Sequence, residues 1–285
     1  MKFLIDYSIL SILLFLFSSN VCSASSLERR EGILYDTDTS RPYTGTATST
    51  SKGIELPEGL RGLEGLEGLG GGVYSESKYK NGLLDGVTIL RENDSEGNII
   101  SKTSYRNGMI NGADTNWDEN GRKTDETHYA NGKKHGTDTL WDENGRKIHE
   151  VHYSNDVQHG TDIWWDIDTG IKTQEAHYQN GSLHGESLSW SSDGVKISEA
   201  HYANGRKHGI KINWYKSGQK KYEMKFVNGT RVDKVIYWHK NGQMKSVTPY
   251  SNGKPNGKRI IWGYSGNKRS ETTYENGKKI KVVTF

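Results

Sequence analysis

The sequence predicts an all-β protein, an elongated, open, twisted antiparallel sheet of tandem β-hairpins repeating about every 24 residues. Three observations carry this. Aromatic residues recur at Tyr79, Tyr105, Tyr129, Tyr153, Tyr178, Tyr202, Phe226, Tyr250 and Tyr274, in steps of 26, 24, 24, 25, 24, 24, 24 and 24 residues. Trp117, Trp141, Trp165, Trp190, Trp214, Trp238 and Trp262 keep the same beat. Two turn signals bracket short alternating runs in each repeat: an Asn-Gly after the aromatic, and a Gly after the Trp, as at Gly121, Gly145 and Gly170. Asn-Gly between alternating runs is the strongest short-range hairpin cue, because both residues tolerate positive φ.

The chain begins differently. Met1-Lys2 is a short basic start, Ile9–Phe17 is apolar, and Val21-Cys22-Ser23-Ala24 offers small residues for cleavage. Residues 1–24 therefore read as a secretory signal peptide, and its apolar run is too short to span a bilayer comfortably. Cleavage there removes Cys22, the one cysteine, leaving no disulfide or thiolate chemistry and no transmembrane span. Residues 25–55 read as a divergent first repeat, with Arg41-Pro42-Tyr43-Thr44-Gly45 standing in for the Gly-ended turn before a strand. Residues 56–72, LPEGLRGLEGLEGLGGG, form a Gly/Leu low-complexity loop, since Gly every few residues disfavours a regular element. Residues 73–285 are the repeat array. Its two longer steps gain their residues at Glu92–Asn98 and Ile167–Gly170, between strands, where repeats tolerate insertion.

Composition fits a thin, solvated sheet. Only 32% of the residues are hydrophobic, against 16 Tyr, 8 Trp and 34 Gly, and amphipathic aromatics pack by their rings while their polar ends stay wet. Period two assigns the faces. Tyr129, Thr127 and Asp125 point one way; His128, Glu126 and Thr124 point the other. The expected result is an aromatic ladder on one face and a wet face of recurring Glu and His on the other.

Eight of the ten His fall in two columns, His128, His152, His177 and His201, and His135, His159, His184 and His208. Same-column residues stand roughly 10 Å apart on a sheet, too far to share one zinc ion. The expected roles are structural: a turn residue in His-Gly, and pairing of the other column with the Glu two residues earlier. Carboxylate pairs such as Asp118/Glu119 repeat in polar turns rather than converging on one substrate. With no nucleophile elbow, phosphate-binding Gly loop or HExxH, the sequence indicates no enzyme, cofactor or metal.

One asymmetry exceeds the repeat. Asn111–Glu175 holds 14 acidic and 7 basic residues, net −7, whereas Gly205–Phe285 holds 19 basic and 4 acidic, net +15. A block of that size sets up a positive field. Lys220, Lys221, Lys225, Lys258, Arg259, Lys268 and Arg269 are the candidate contacts. An acidic protein, an anionic envelope surface, or the acidic half of a second copy fits them; export argues against nucleic acid.

Tyr129-Ala130-Asn131-Gly132-Lys133-Lys134-His135-Gly136 closely resembles the MORN repeat core. The Glu-x-x-Tyr lead-in, the 24-residue period and the Pro-Tyr-Thr-Gly start resemble the bacterial variant labelled the YwqK-type antitoxin repeat. The resemblance implies an open, twisted sheet of hairpins, with Tyr105, Trp117, Tyr129, Trp141, Tyr153, Trp165, Tyr178, Trp190, Tyr202, Trp214, Trp238 and Trp262 as structural anchors. It also implies a protein- or membrane-contacting scaffold. Three departures stand out: Asp156 replaces a turn Gly, Arg91 sits where Trp is expected, and Val232-Asp233-Lys234 lacks the His-Gly step. Those repeats are expected to be looser. The functional expectation is an exported scaffold that binds a macromolecular partner in the manner of an antitoxin or immunity protein; the alternative is an envelope module binding anionic lipid or polysaccharide through the basic half.

Overall fold

Asn204 and Gly205 both take positive φ, 50° and 75°, and join paired strands through a two-residue turn. Such type I′ geometry matches the twist of the flanking strands. The same Asn conformation recurs at Asn81, Asn107, Asn131, Asn155, Asn180, Asn228, Asn252 and Asn276. The computed structural model describes residues 27–51, 72–92 and 97–285. The expected signal segment, and residues 56–71 of the expected loop, lie outside the described residues.

Every described element is a strand or a turn, so the all-β antiparallel reading holds. The chain divides into two units, Met1–Gly136 with Glu143–Gly145, and Thr137–Asp142 with Arg146–Phe285. In unit 1, β1 (Leu27–Arg30), β2 (Ile33–Asp36) and β3 (Arg41–Pro42) form a small sheet. β4 (Gly45–Ser51), β5 (Val73–Lys80), β6 (Leu83–Glu92), β7 (Ile99–Arg106), β8 (Met109–Trp117) and β9 (Lys123–Ala130) pair in sequence order. β10 (Lys133–Trp141) follows.

Unit 2 continues with β11 (Lys147–Ser154), β12 (Val157–Trp165), β13 (Lys172–Gln179), β14 (Ser182–Trp190), β15 (Lys196–Ala203) and β16 (Arg206–Trp214). Then come β17 (Lys220–Val227), β18 (Thr230–Trp238), β19 (Met244–Ser251), β20 (Lys254–Pro255), β21 (Gly257–Trp262), β22 (Lys268–Glu275) and β23 (Lys278–Thr284). Each strand pairs with the next, except that β20 and β21, separated by Asn256, both pair with β19. No described pairing joins the last strand of either unit to its first, and each sheet is open.

Burial runs in rows along the sheet rather than between layers. The buried residues of the tyrosine face are the anchors Tyr79 in unit 1 and Phe226 in unit 2, together with small or β-branched side chains: Thr127 in unit 1; Val151, Ala200, Val235, Thr248 and Thr272 in unit 2. The smaller ones are flanked by larger side chains on neighbouring strands, so a thin sheet shields them without a second layer.

Gly45 pairs with Tyr79 as Gly86 pairs with Tyr105 and Gly209 with Phe226. The Arg41–Gly45 stretch thus enters the sheet in the register of a repeat. The N–H of Gly82 donates to the Tyr43 carbonyl, as Gly108 does to Leu84 and Gly205 to Leu183, so each Asn-Gly turn is tied to the hairpin before it.

Two expectations change. The departures keep their hairpins paired: Asp156 takes φ of 67°, reproducing the turn that Gly makes elsewhere, and Asp233, within β18 where other repeats have Gly, takes 63°, with Val235 two residues on 2% exposed. Arg91, in the Trp position, donates to the Gly97 carbonyl at 3.1 Å. Nor is the Glu face simply wet. In unit 2 its central row alternates acid with aliphatic, Glu175–Leu188–Glu199–Ile212–Glu223–Ile236, directly paired strand by strand.

Candidate functional site

The Glu row is held by a clamp that recurs with the repeat. Lys196 lies 2.6 Å from Glu199 and 4.8 Å from the centre of the Trp214 ring. Lys172 meets Glu175 and the Trp190 ring in the same way, and Lys220 meets Glu223 at 2.7 Å with the Trp238 ring 5.7 Å away. In unit 1, Lys123 and Thr115 both hydrogen-bond Glu126. Burial alone would raise the Glu126 pKa, but these hydrogen bonds and the Lys123 charge outweigh it and hold the carboxyl below its ordinary value.

This clamp reassigns the histidines. Glu175 and Glu199 pair with the Lys three residues earlier rather than with the following His, while Glu126 feels the charges of both Lys123 and His128. His177 Nδ1 instead lies 3.2 Å from the Glu186 carbonyl, and His201 Nδ1 3.2 Å from that of Ile210, across a register shift. The His-Gly glycine follows from the same contact. A Cβ on Gly209 would stand 3.1 Å from the His201 Cβ, and on Gly136 3.2 Å from that of His128. Among the described residues no group of three or more His, Cys, Asp or Glu gathers to hold a metal ion.

The basic candidates divide into three kinds. Lys220 and Lys268 belong to the clamp: Lys268 pairs with Glu271 and lies 4.9 Å from the Phe285 ring. Lys221 lies 5.8 Å from the Tyr215 ring, and Arg259 is on the tyrosine face opposite Thr272, its Nε buried without a hydrogen-bond partner. Arg269 packs beside Gly263 in the adjoining turn. Lys225 and Lys258 stand apart from these. They occupy the Glu face one row over, joined by Lys234 and Lys281, which sequence reasoning passed over. All four are exposed, and between β17 and β23 the row's other members are Pro249 and Thr273. The nearest acid to Lys258 is Glu271, 3.9 Å away and already held by Lys268.

A family model described as a MORN repeat variant matches residues 183–204 and 207–228, two segments starting 24 residues apart and running from β14 to the end of β17 through the clamps of Lys196 and Lys220. A comparison with curated proteins finds no match. The chain is therefore MORN-repeat-like over these hairpins, and such repeats are in general protein- or lipid-binding modules rather than catalysts.

Proposed function

We propose that the protein is an exported, non-catalytic repeat scaffold that binds an acidic macromolecular partner, a protein, through the Lys225–Lys234–Lys258–Lys281 row. The row carries this reading: four exposed ammonium groups on one face of unit 2, with Glu223 paired to Lys220 and Glu271 shared between Lys268 and, more distantly at 3.9 Å, Lys258. Uncompensated charge of one sign steers and orients an oppositely charged surface. The signal-like residues 1–24 support export. An inhibitor acting by stoichiometric binding, in the manner of an antitoxin or immunity protein, is the form this reading takes when the partner is an enzyme.

The aliphatic row beside the lysines (Ile236, Val247, Ile260) favours one second reading, an anionic envelope surface. A salt-graded pull-down from the envelope fraction, with wild type and Lys225→Glu/Lys258→Glu, tests both. A stoichiometric protein held by wild type and released by the double variant supports the first. Salt-sensitive sedimentation with anionic liposomes supports the second. If charge reversal changes neither, both readings fail.

A further inference from the structure

On the opposite, tyrosine face of unit 2, one row departs from the surrounding pattern. Trp164, Gln174, Ser189, Ser198, Asn213 and Tyr222 stand directly opposite one another across successive strands from β12 to β17. Both ends are aromatic and the middle is amide and hydroxyl. Five strand steps separate the ends, roughly 24 Å.

The two ends are built differently from the middle. Trp164 is 43% exposed, yet its ring is fixed by the directly paired His149, stacked at 3.8 Å and 18°. His149 is in turn held by Asp162 at 2.9 Å, and Asp162 accepts a 2.7 Å hydrogen bond from Gln158. The indole is thus preorganised rather than free to collapse. At the far end Tyr222 lies 5.7 Å from Tyr237, whose side chain is 37% exposed, and the Lys211 ammonium is 5.9 Å from the Tyr222 ring. Between them the floor is low. Ala176, Ser187 and Ala200 fill the adjacent row, and Ser198 donates to Asn213 Oδ1 at 3.3 Å.

The charge balance selects the ligand. The charges bordering this trough lie at its ends: Asp162, engaged with His149 and Gln158, at one, and Lys211, over the Tyr222 ring with Lys207 and Arg231 beyond it, at the other, so the stretch from Gln174 to Ser198 between them is uncharged. A polyanion finds no cation between Gln174 and Ser198, and a protein partner would leave the serine and amide groups to be desolvated with little apolar gain. A sugar ring suits both features. Its C–H face packs flat on an aromatic ring, and its hydroxyls need groups that donate and accept, as Ser, Asn and Gln do.

We infer that this row is a binding site for a neutral polysaccharide lying across the strands, with Trp164 and the Tyr222–Tyr237 pair as stacking platforms and Gln174, Ser189 and Asn213 as hydrogen-bonding groups. The site is separate from the lysine row and does not depend on it.

Affinity electrophoresis of the full chain tests this in gels containing hydroxyethyl cellulose, laminarin, galactomannan or soluble starch, with dextran sulfate as the polyanion. Retardation in at least one neutral gel is expected, and it persists at about 0.5 M salt, where charge contacts are screened. Trp164→Ala and Tyr237→Ala are each expected to weaken it about tenfold, by loss of aromatic stacking. Trp164→Phe retains most of it, and Tyr264→Ala, an exposed tyrosine away from the row, leaves it unchanged. Melting curves of each variant confirm folding. The inference fails if no neutral gel retards the protein, or if both alanine variants run as wild type. Retardation by dextran sulfate alone, abolished by salt, likewise overturns it and points to the lysine row.

Discussion

Lys196 reaches Glu199 at 2.6 Å although the two are three residues apart on one strand, positions that regular alternation sends to opposite faces. The register shift at Ser189/Trp190 explains it: Ser198 faces Ser189 and Lys196 faces Trp190, leaving Ile197 as an extra residue in a bulge. The bulge turns the lysine back onto the Glu face, where the Trp214 ring completes its surroundings.

Because Lys196 is 40% exposed, this pair should contribute modestly. A double-mutant cycle of Lys196→Met and Glu199→Gln is expected to give a coupling of about 0.3–1 kcal/mol, shrinking as salt is raised. Amide hydrogen exchange of β15 and β16 is the suitable readout, since repeat arrays open locally. A coupling of zero at low salt would show that the clamp is only a geometric coincidence.

Arg146 and Asp142 should behave differently. The Asp142 side chain is 1% exposed and accepts from the Arg146 backbone N–H at 2.8 Å and from its Nε at 2.9 Å. The guanidinium also donates to the carbonyls of Ile167 and, at 3.0 Å, Asp168, tying one turn to the next. Arg146→Met leaves a buried carboxylate without its cation. A loss of about 2 kcal/mol or more in local stability is expected, with little dependence on salt. A loss below about 0.5 kcal/mol would mean that Asp142 is satisfied by its other contacts.

The fold was legible because periodicity and Asn-Gly turns are local signals: Asn204-Gly205 can hardly be anything but a tight turn. The clamp was also written in the sequence, as Lys-x-x-Glu at Lys123, Lys147, Lys172, Lys196, Lys220 and Lys268. Strict alternation hid it, because a bulge leaves no mark in residue type. The lysine row was half visible. Net charge drew attention to Lys225 and Lys258, but only the register separates them from Lys220 and Lys268 and adds Lys234 and Lys281. The His149–Trp164–Asp162 group lay deeper still, since it depends on which residues of neighbouring strands stand opposite each other. Its one sequence trace is that His149 and Trp164 occupy positions filled by Gln174 and Ser189 one repeat later.

Two glycines separate steric demand from backbone demand. Gly209 has φ of 108° and its missing Cβ would lie 3.1 Å from His201; Gly218 has φ of 83° with nothing within 4 Å. Gly218→Ala is expected to cost about 1 kcal/mol from backbone strain alone. Gly209→Ala should cost about 2–3 kcal/mol, because crowding adds to the strain. Equal losses in the two variants would remove the His contact as the reason for glycine in the His-Gly step. Conversely, Asp233→Gly is expected to stabilise its hairpin by up to about 1 kcal/mol, relieving a non-glycine residue at φ of 63°.

Asp114 and Glu126 should respond to pH with opposite sign. Burial pushes the Asp114 carboxyl above its ordinary value; the hydrogen bond from Thr103 at 2.8 Å offsets this in part, and the Asp125 charge adds to the rise. The folded state therefore holds this proton more tightly than the unfolded chain. Its ionisation costs stability as pH rises from the ordinary Asp value through the folded one, and the cost is full at neutral pH. Asp114→Asn is expected to raise the unfolding midpoint at neutral pH, with the gain fading in acid. Glu126 is held below its ordinary value, so its contribution is present above the ordinary Glu value and lost as pH falls through the folded one. Glu126→Gln should lower the midpoint at neutral pH and converge with wild type near pH 3, where carboxylates are largely protonated. Unfolding curves of the two variants and wild type between neutral pH and about pH 3 decide the matter. If Asp114→Asn destabilises at neutral pH, the Thr103 hydrogen bond outweighs burial and the assigned sign for Asp114 is wrong.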